Sequence, residues 1–239
     1  MPVKNDPSNN PAQKATKYRA IKSFVLRQGR LTAAQQKALH QHWLAYGIDY
    51  TEQPLIFNQL FANEHEVVLE IGFGNGESLL QQAKNQPQYN FIGIEVHSPG
   101  VGHLIHYAQA EGIENIKVIR HDAVDVLNHQ VADNSLNKVQ LFFPDPWHKK
   151  RHHKRRIINP EFIQLLHKKL KPGGFFHMAT DWLHYAEQML EQLDAAEGFI
   201  NTAGKGCYSK TRADRYETKF ERRGLRLGHG VWDLIYEKQ

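Results

Sequence analysis

From residue 67 onward the chain repeats one motif: a short apolar run, a turn, then a stretch whose apolar positions fall three and four apart. Short apolar runs bounded by Gly, Pro or Asn mark buried strands, and the wider spacing marks helices that lay one face on a sheet. The pattern predicts strands over 67–71, 91–95, 116–120, 139–143, 175–179, 199–202 and 231–236. Helices are expected over 77–85, 101–111, 160–170 and 182–196, with a helical turn at 123–127. Strands alternating with helices form a mostly parallel sheet covered on both faces. The expected fold is α/β, a doubly wound, mostly parallel seven-stranded sheet occupying residues 63–239. Residues 18–62 read as an N-terminal arm containing a short helix capped by Thr32, with Trp43, Tyr46, Ile48 and Tyr50 packing it onto the main body. Residues 1–17 are polar and rich in Pro, Asn, Gln and Lys, the composition of a disordered tail.

Charge changes the picture more than size does. The formal net charge of +5 favours an anionic partner. The single cysteine, Cys207, excludes an internal disulfide framework and a cysteine zinc site, and suits a reducing compartment. No apolar run approaches the roughly 20 residues that span a bilayer, and the polar N-terminus lacks the apolar core of a secretory signal. These features lead us to expect a soluble cytoplasmic protein.

The expected strand 139–143 stops at Pro144-Asp145-Pro146-Trp147, which cannot continue a sheet ladder. One carboxylate and one large aromatic thus sit at a strand's carboxyl end, where open α/β sheets place their chemistry. Eight cationic or histidine residues follow, from Lys149 to Arg156. A second basic segment interleaves Lys210, Arg212, Arg215, Lys219, Arg222, Arg223 and Arg226 with Tyr208, Tyr216 and Phe220, a nucleic-acid signature. The histidines suggest no metal site: His152 and His153 are adjacent, and His103 and His106 lack a third ligand nearby.

Glu70-Ile71-Gly72-Phe73-Gly74-Asn75-Gly76 is a strand entering a glycine turn. It fails the dinucleotide fingerprint, because Glu77 stands where the third Gly belongs, and it lacks the Lys-Ser/Thr ending of a phosphate-binding loop. A G-x-G-x-G turn preceded by an acidic residue is the form used by S-adenosylmethionine-dependent methyltransferases. The turn alone leaves a ligand site and a plain turn equally open. Three further carboxylates favour the ligand: Glu95, placed to accept from ribose hydroxyls, Asp122, placed to accept from an adenine amino group, and Asp145. With Glu70 they line one rim of the sheet. S-adenosylmethionine, a sulfonium bearing an ammonium, suits carboxylates where a pyrophosphate cofactor would not.

Together with Gly93-Ile94-Glu95-Val96, the corner at 143–149, Asp181 after Met178-Ala179-Thr180, Thr218-Lys219-Phe220-Glu221 and the arm Ser23 to Arg30, the glycine turn resembles the bacterial tRNA (guanine-N7)-methyltransferase family. The resemblance runs from about residue 20 to the C-terminus. It implies a Rossmann-like class I methyltransferase fold and methylation of guanine N7 in the tRNA variable loop, with S-adenosyl-L-methionine as donor. Carried over by residue, it implies cofactor contacts at Glu70, Gly72, Gly74, Gly76, Glu95, Asp122 and Asp145, with Asp145 also catalytic. It implies substrate contacts at Lys149, Asp181, Thr218, Lys219, Phe220 and Glu221, and RNA contacts at Lys150, Arg151, His152, His153, Lys154, Arg155 and Arg156. The expected partner is tRNA, with no membrane and no metal, and a monomer is favoured.

Guanine presents N1–H and an exocyclic amine on one edge, two donors that a carboxylate accepts together. Asp181 or Glu221 is expected to supply that acceptor, against the alternative that Glu221 pairs on the surface with Arg222 or Arg223. Trp147 is placed either to stack on an exposed base or to lie under the sheet rim. A-form RNA hides N7 in its deep groove, so the target belongs in a loop or irregular region, with the base able to turn outward. Methyltransferases of exocyclic amines resemble this corner but carry two prolines after the acidic or amide residue, where Asp145 is followed by one. A non-catalytic RNA-binding protein is the remaining alternative, and the intact set of carboxylates argues against it.

Overall fold

The computed structural model describes residues 22–25, 29–217, 221–222 and 230–239. The expected tail, 1–17, lies outside them, as do Thr218, Lys219 and Phe220. Within the described residues, strands β1 (Gly47–Ile48), β2 (Glu66–Ile71), β3 (Tyr89–Ile94), β4 (Ile116–Ile119), β5 (Leu136–Phe142), β6 (Leu170–Thr180), β7 (Phe199–Asn201) and β8 (Trp232–Lys238) form one sheet ordered β1-β4-β3-β2-β5-β6-β8-β7. Strands β1 to β6 pair in parallel, and β8 runs antiparallel to both β6 and β7.

Seven of these strands match the apolar pattern. The eighth, β1, comes from the arm: Gly47 and Ile48 pair in parallel with Val118 and Ile119 of β4, too short a run to leave a periodic signal. The expected turn at 171–174 also differs. It lies inside β6 as an irregularity, with the pairing to β5 jumping from Leu170 to Phe175, because Gly173 takes a positive φ of 75° and accommodates the extra residues.

Helices α1 (Ala33–Gln41), α2 (Trp43–Tyr46), α3 (Phe57–Phe61), α4 (Glu77–Asn85), α5 (Ser98–Ala110), α6 (Ala123–His129), α7 (Pro160–Lys169) and α8 (Leu183–Asp194) cover the sheet. Thr32 caps α1 as expected, in a reciprocal box with Gln35. Side chains alternate across a strand, so Val68 joins Leu79, Leu104 and Ala108 on the α4–α5 face. Leu69 and Ile71 join Val126, Leu166 and Met189 on the α6–α8 face. Apart from Ala108, burial of each of these side chains contributes roughly 1.5–3 kcal/mol. The two layers clamp the sheet and fix where its strand ends point.

The strand order reverses between β2 and β5. Chains leave β2 toward β3 and β4 on one side, and β5 toward β6 on the other. At such a switch point the loops splay apart and open a crevice at the carboxyl ends of the strands. Both sequence motifs exit there, the glycine turn from β2 and the Pro-Asp-Pro-Trp corner from β5.

Candidate active site

Gly72, Gly74 and Gly76 all take positive φ, at 72°, 59° and 76°, so the turn needs residues without a Cβ. A Cβ at Gly72 or Gly74 would meet nothing within 4 Å, which means that the turn lines open space. Glu95 holds it in shape. One carboxylate oxygen accepts from Gly74 N at 2.9 Å, and the other accepts from Val96 N and His97 N at 2.7 and 3.0 Å. His103 pins the far side, its Nδ1–H donating to Asn75 O at 2.8 Å. Gly100 in the first turn of α5 is equally committed, since a Cβ there would stand 2.0 Å from Gly74 O. Neither His103 nor Gly100 was singled out for this role from the sequence; two glycines inside one helix were the available signal, because each weakens a helix unless close packing requires it.

Past β5 the backbone is bent by two non-glycine residues in the left-handed region, Phe143 (φ 51°) and Trp147 (φ 45°), on either side of Pro144-Asp145-Pro146. Such residues persist where surroundings over-determine them. Phe143 N donates to Ala179 O at 2.7 Å. The Trp147 ring lies under the Arg155 guanidinium at 4.0 Å, and its Nε1–H donates to Ser23 O at 3.1 Å. Arg155 also donates to Lys22 O and Phe24 O at 3.1 and 3.0 Å. Trp147 therefore neither stacks in the open nor lies under the rim. It straps the arm across the corner and leaves Asp145 exposed at the mouth of the cleft.

The cleft has two halves that share Gly72, Phe142 and Phe143. Glu95, Asp122 and Asp145 line one half together with Ser23 and Phe24 of the arm. Glu70, Asp181 and Glu221 line the other. Asp122 caps α6 through Val124 N at 3.0 Å, and its second oxygen accepts from Lys22 at 2.5 Å. Glu70 is only 4% exposed, and its Oε2 has no hydrogen-bond partner among the described residues. Burial, and secondarily the Glu95 carboxylate, pushes its pKa up to about 8. A buried carboxylate short of a partner is costly and is what a cationic ligand would satisfy. The carboxylate set, the orphan Glu70 and the open glycine turn fit S-adenosylmethionine.

In the half of the cleft lined by Glu70, Asp181 is exposed at the wall. Glu221 is 3% exposed and is held by Arg215, with Arg212 at 3.5 Å. Arg222, one of the two expected surface partners of Glu221, faces Glu217 at 3.4 Å, and the other, Arg223, lies outside the described residues. Residues 150–155 form a short 3-10 helix after Lys149. Lys149, Lys150, Arg151 and Lys154 point outward, and His152 and His153 are half-buried. Burial, reinforced by the surrounding cations, lowers the His152 pKa.

Two members of the expected RNA-contacting run are turned toward the protein itself. Arg156 is 3% exposed, donates to Pro146 O at 2.8 Å and to Gln188 at 2.5 Å, and lies 4.6 Å from the Tyr185 ring. Arg155 is turned onto Trp147 and the arm. Both brace the corner, because a guanidinium with five donors can satisfy several buried carbonyls at once. No group of His, Cys, Asp or Glu side chains among the described residues could hold a metal ion, and no described helix is long and apolar enough to cross a membrane.

A parallel sheet with this switch point, a glycine turn and a carboxylate-lined crevice defines the Rossmann-like S-adenosylmethionine-dependent methyltransferases. Residues 64–234 match a family model described as putative methyltransferase. Two solved structures share the fold at low sequence identity: the 16S rRNA methyltransferase KamB (TM-score 0.56, 16% identity, 77% of this chain and 92% of that one) and the antibiotic-resistance methyltransferase Kmr (0.52, 15%, 80% and 96%). Curated relatives are far nearer. A tRNA (guanine-N(7)-)-methyltransferase of Aeromonas hydrophila subsp. hydrophila is 56% identical over 238 residues, 100% of this chain and 99% of its own. One of Shewanella frigidimarina is 56% identical over 220 residues, 92% of each chain. This chain belongs to the tRNA (guanine-N7)-methyltransferase family.

Proposed function

We propose that this protein transfers the methyl group of S-adenosylmethionine to N7 of a guanosine in the variable loop of tRNA, with Asp145 at the point where donor and base meet. The feature that carries the residue assignment is the orphaned Glu70 carboxylate, buried in the same cleft whose mouth holds Asp145. Glu70, Glu95 and Asp122 with the glycine turn would hold the cofactor. When bound, the cofactor supplies an electrophilic methyl on a sulfonium.

Guanine N7 carries an in-plane lone pair and no proton, so no residue has to act as a general base. What the chain must supply is position and charge. Asp145, fixed between two prolines and two strained residues, stabilises the positive charge that develops on the purine. Asp181, with Glu221, accepts from the N1–H and amino edge and rejects adenine, which lacks that pair of donors. Lys149, Lys150, Arg151 and Lys154 face the RNA phosphates.

Unmodified tRNA incubated with labelled cofactor should yield N7-methylguanosine by nucleoside mass spectrometry, and Asp145→Ala at saturating cofactor should slow turnover by roughly a hundredfold or more. N6-methyladenosine as the product would overturn the reaction, and near-normal turnover by Asp145→Ala would overturn the role of Asp145.

A further inference from the structure

One buried side chain ties the segment beyond β7 to both walls of the cleft. Arg215 is 2% exposed, and its guanidinium forks between two carboxylates. It donates to Glu221 at 2.5 and 3.1 Å and to Asp233 of β8 at 2.9 and 2.8 Å. Asp233 is anchored in turn by Nε2–H of His177 on β6 at 2.9 Å. Burial keeps that imidazole below its usual pKa, so it donates as the neutral ring. Burial alone would raise Asp233, but the hydrogen bonds from His177 and Arg215 outweigh it and hold the carboxyl below the ordinary range. Arg215 also packs against the corner, 5.3 Å from the Phe143 ring and 5.7 Å from that of Phe142.

Two buried carboxylates facing one guanidinium would repel each other if the fork were removed. A lysine keeps the charge but loses the planar set of donors that serves both. The sheet end of the fork is rigid, since Asp233 sits in a strand paired with Ala179. The other end of the fork holds both carboxylate oxygens of Glu221 at the cleft wall.

We infer that Arg215 is a positioning residue for methyl transfer, setting Glu221 at the guanine-facing wall while its guanidinium supports the Phe143 bend that presents Asp145. The inference rests on the assignment of Glu221 to guanine made above. Arg215 itself lies beneath the surface and acts through those two groups.

Arg215→Lys, Glu221→Gln and the double variant, assayed on full-length protein with unmodified tRNA, test this. Arg215→Lys should lower kcat by roughly tenfold to a hundredfold, the scale expected for a misplaced contact, while Kd for S-adenosylmethionine and for tRNA stays near that of the unaltered chain. The loss in the double variant should fall short of the product of the two single losses, because the two changes share the Arg215–Glu221 interaction. Losses that multiply in the double variant, or an unchanged kcat in Arg215→Lys, would overturn the inference. Normal turnover by Glu221→Gln would instead sink the assignment of Glu221 to guanine, and the inference with it. If Arg215→Lys does not fold, Asp233→Asn loosens the fixed end of the same fork, and the same comparison with Glu221→Gln decides.

Discussion

Glu70 shows how much one residue can carry. It is the penultimate residue of β2, in register with Gly93 on one side and Gln140 on the other, and burial, with the Glu95 carboxylate second, pushes its pKa from 4.5 to about 8. In the unfolded chain it ionises near 4.5, so between those values the folded, ligand-free protein holds the extra proton. The contribution of Glu70 to stability is therefore greatest below about pH 4.5 and is lost as pH rises through about 8. A cation bound beside it favours the carboxylate and expels that proton. Titration calorimetry of S-adenosylmethionine near pH 7, in buffers of different ionisation heat, should show more proton release for the native chain than for Glu70→Gln. Equal release by both would show that Glu70 does not face the ligand's charge.

The elements around the corner divide a run of like residues into two jobs. Along 149–156 every side chain is cationic or histidine, and sequence alone makes them equivalent. The 3-10 helix turns Arg155 onto Trp147 and is closed by Arg156 N donating to His153 O at 2.9 Å, which sends the Arg156 side chain into the body. Arg156→Ala would leave buried carbonyl and amide groups without their donor, costing about 1–3 kcal/mol of stability. Thermal unfolding should register that loss, while the salt dependence of tRNA binding stays unchanged. Arg151→Ala should do the reverse, keeping the melting temperature and reducing the salt slope by about one. A reduced salt slope in Arg156→Ala would place that residue on the RNA after all.

At the scale of the whole molecule, the sheet order gathers charges of opposite sign onto one edge. Carboxylates converge on the switch point between β2 and β5, and the outward cations begin a few residues beyond Asp145. This juxtaposition suits a cationic donor inside and a polyanion outside. If Lys149, Lys150, Arg151 and Lys154 each neutralise one phosphate, log affinity should fall against log salt concentration with a slope of about −3 or steeper. Filter binding or fluorescence anisotropy across salt concentrations measures it. A slope near zero would exclude a phosphate-driven interface.

The succession of apolar runs and helical stretches determined the architecture, because burial on two faces imposes continuously apolar strands, and packing on a sheet imposes helices with one apolar side. The glycine turn, the acidic strand ends and the Pro-Asp-Pro break were legible for the same reason: each is a local constraint on backbone or charge. What the tertiary structure decided involves partners far apart in sequence. Lys22 reaches Asp122 across 100 positions, Trp147 holds Ser23 across 124, and Arg215 joins Glu221 to Asp233 inside the protein. Nothing local distinguishes Arg156 from Arg151, or a buried Glu221 from an exposed one. Burial is a property of the packed whole, and it separates the cations that brace the site from those that can meet RNA.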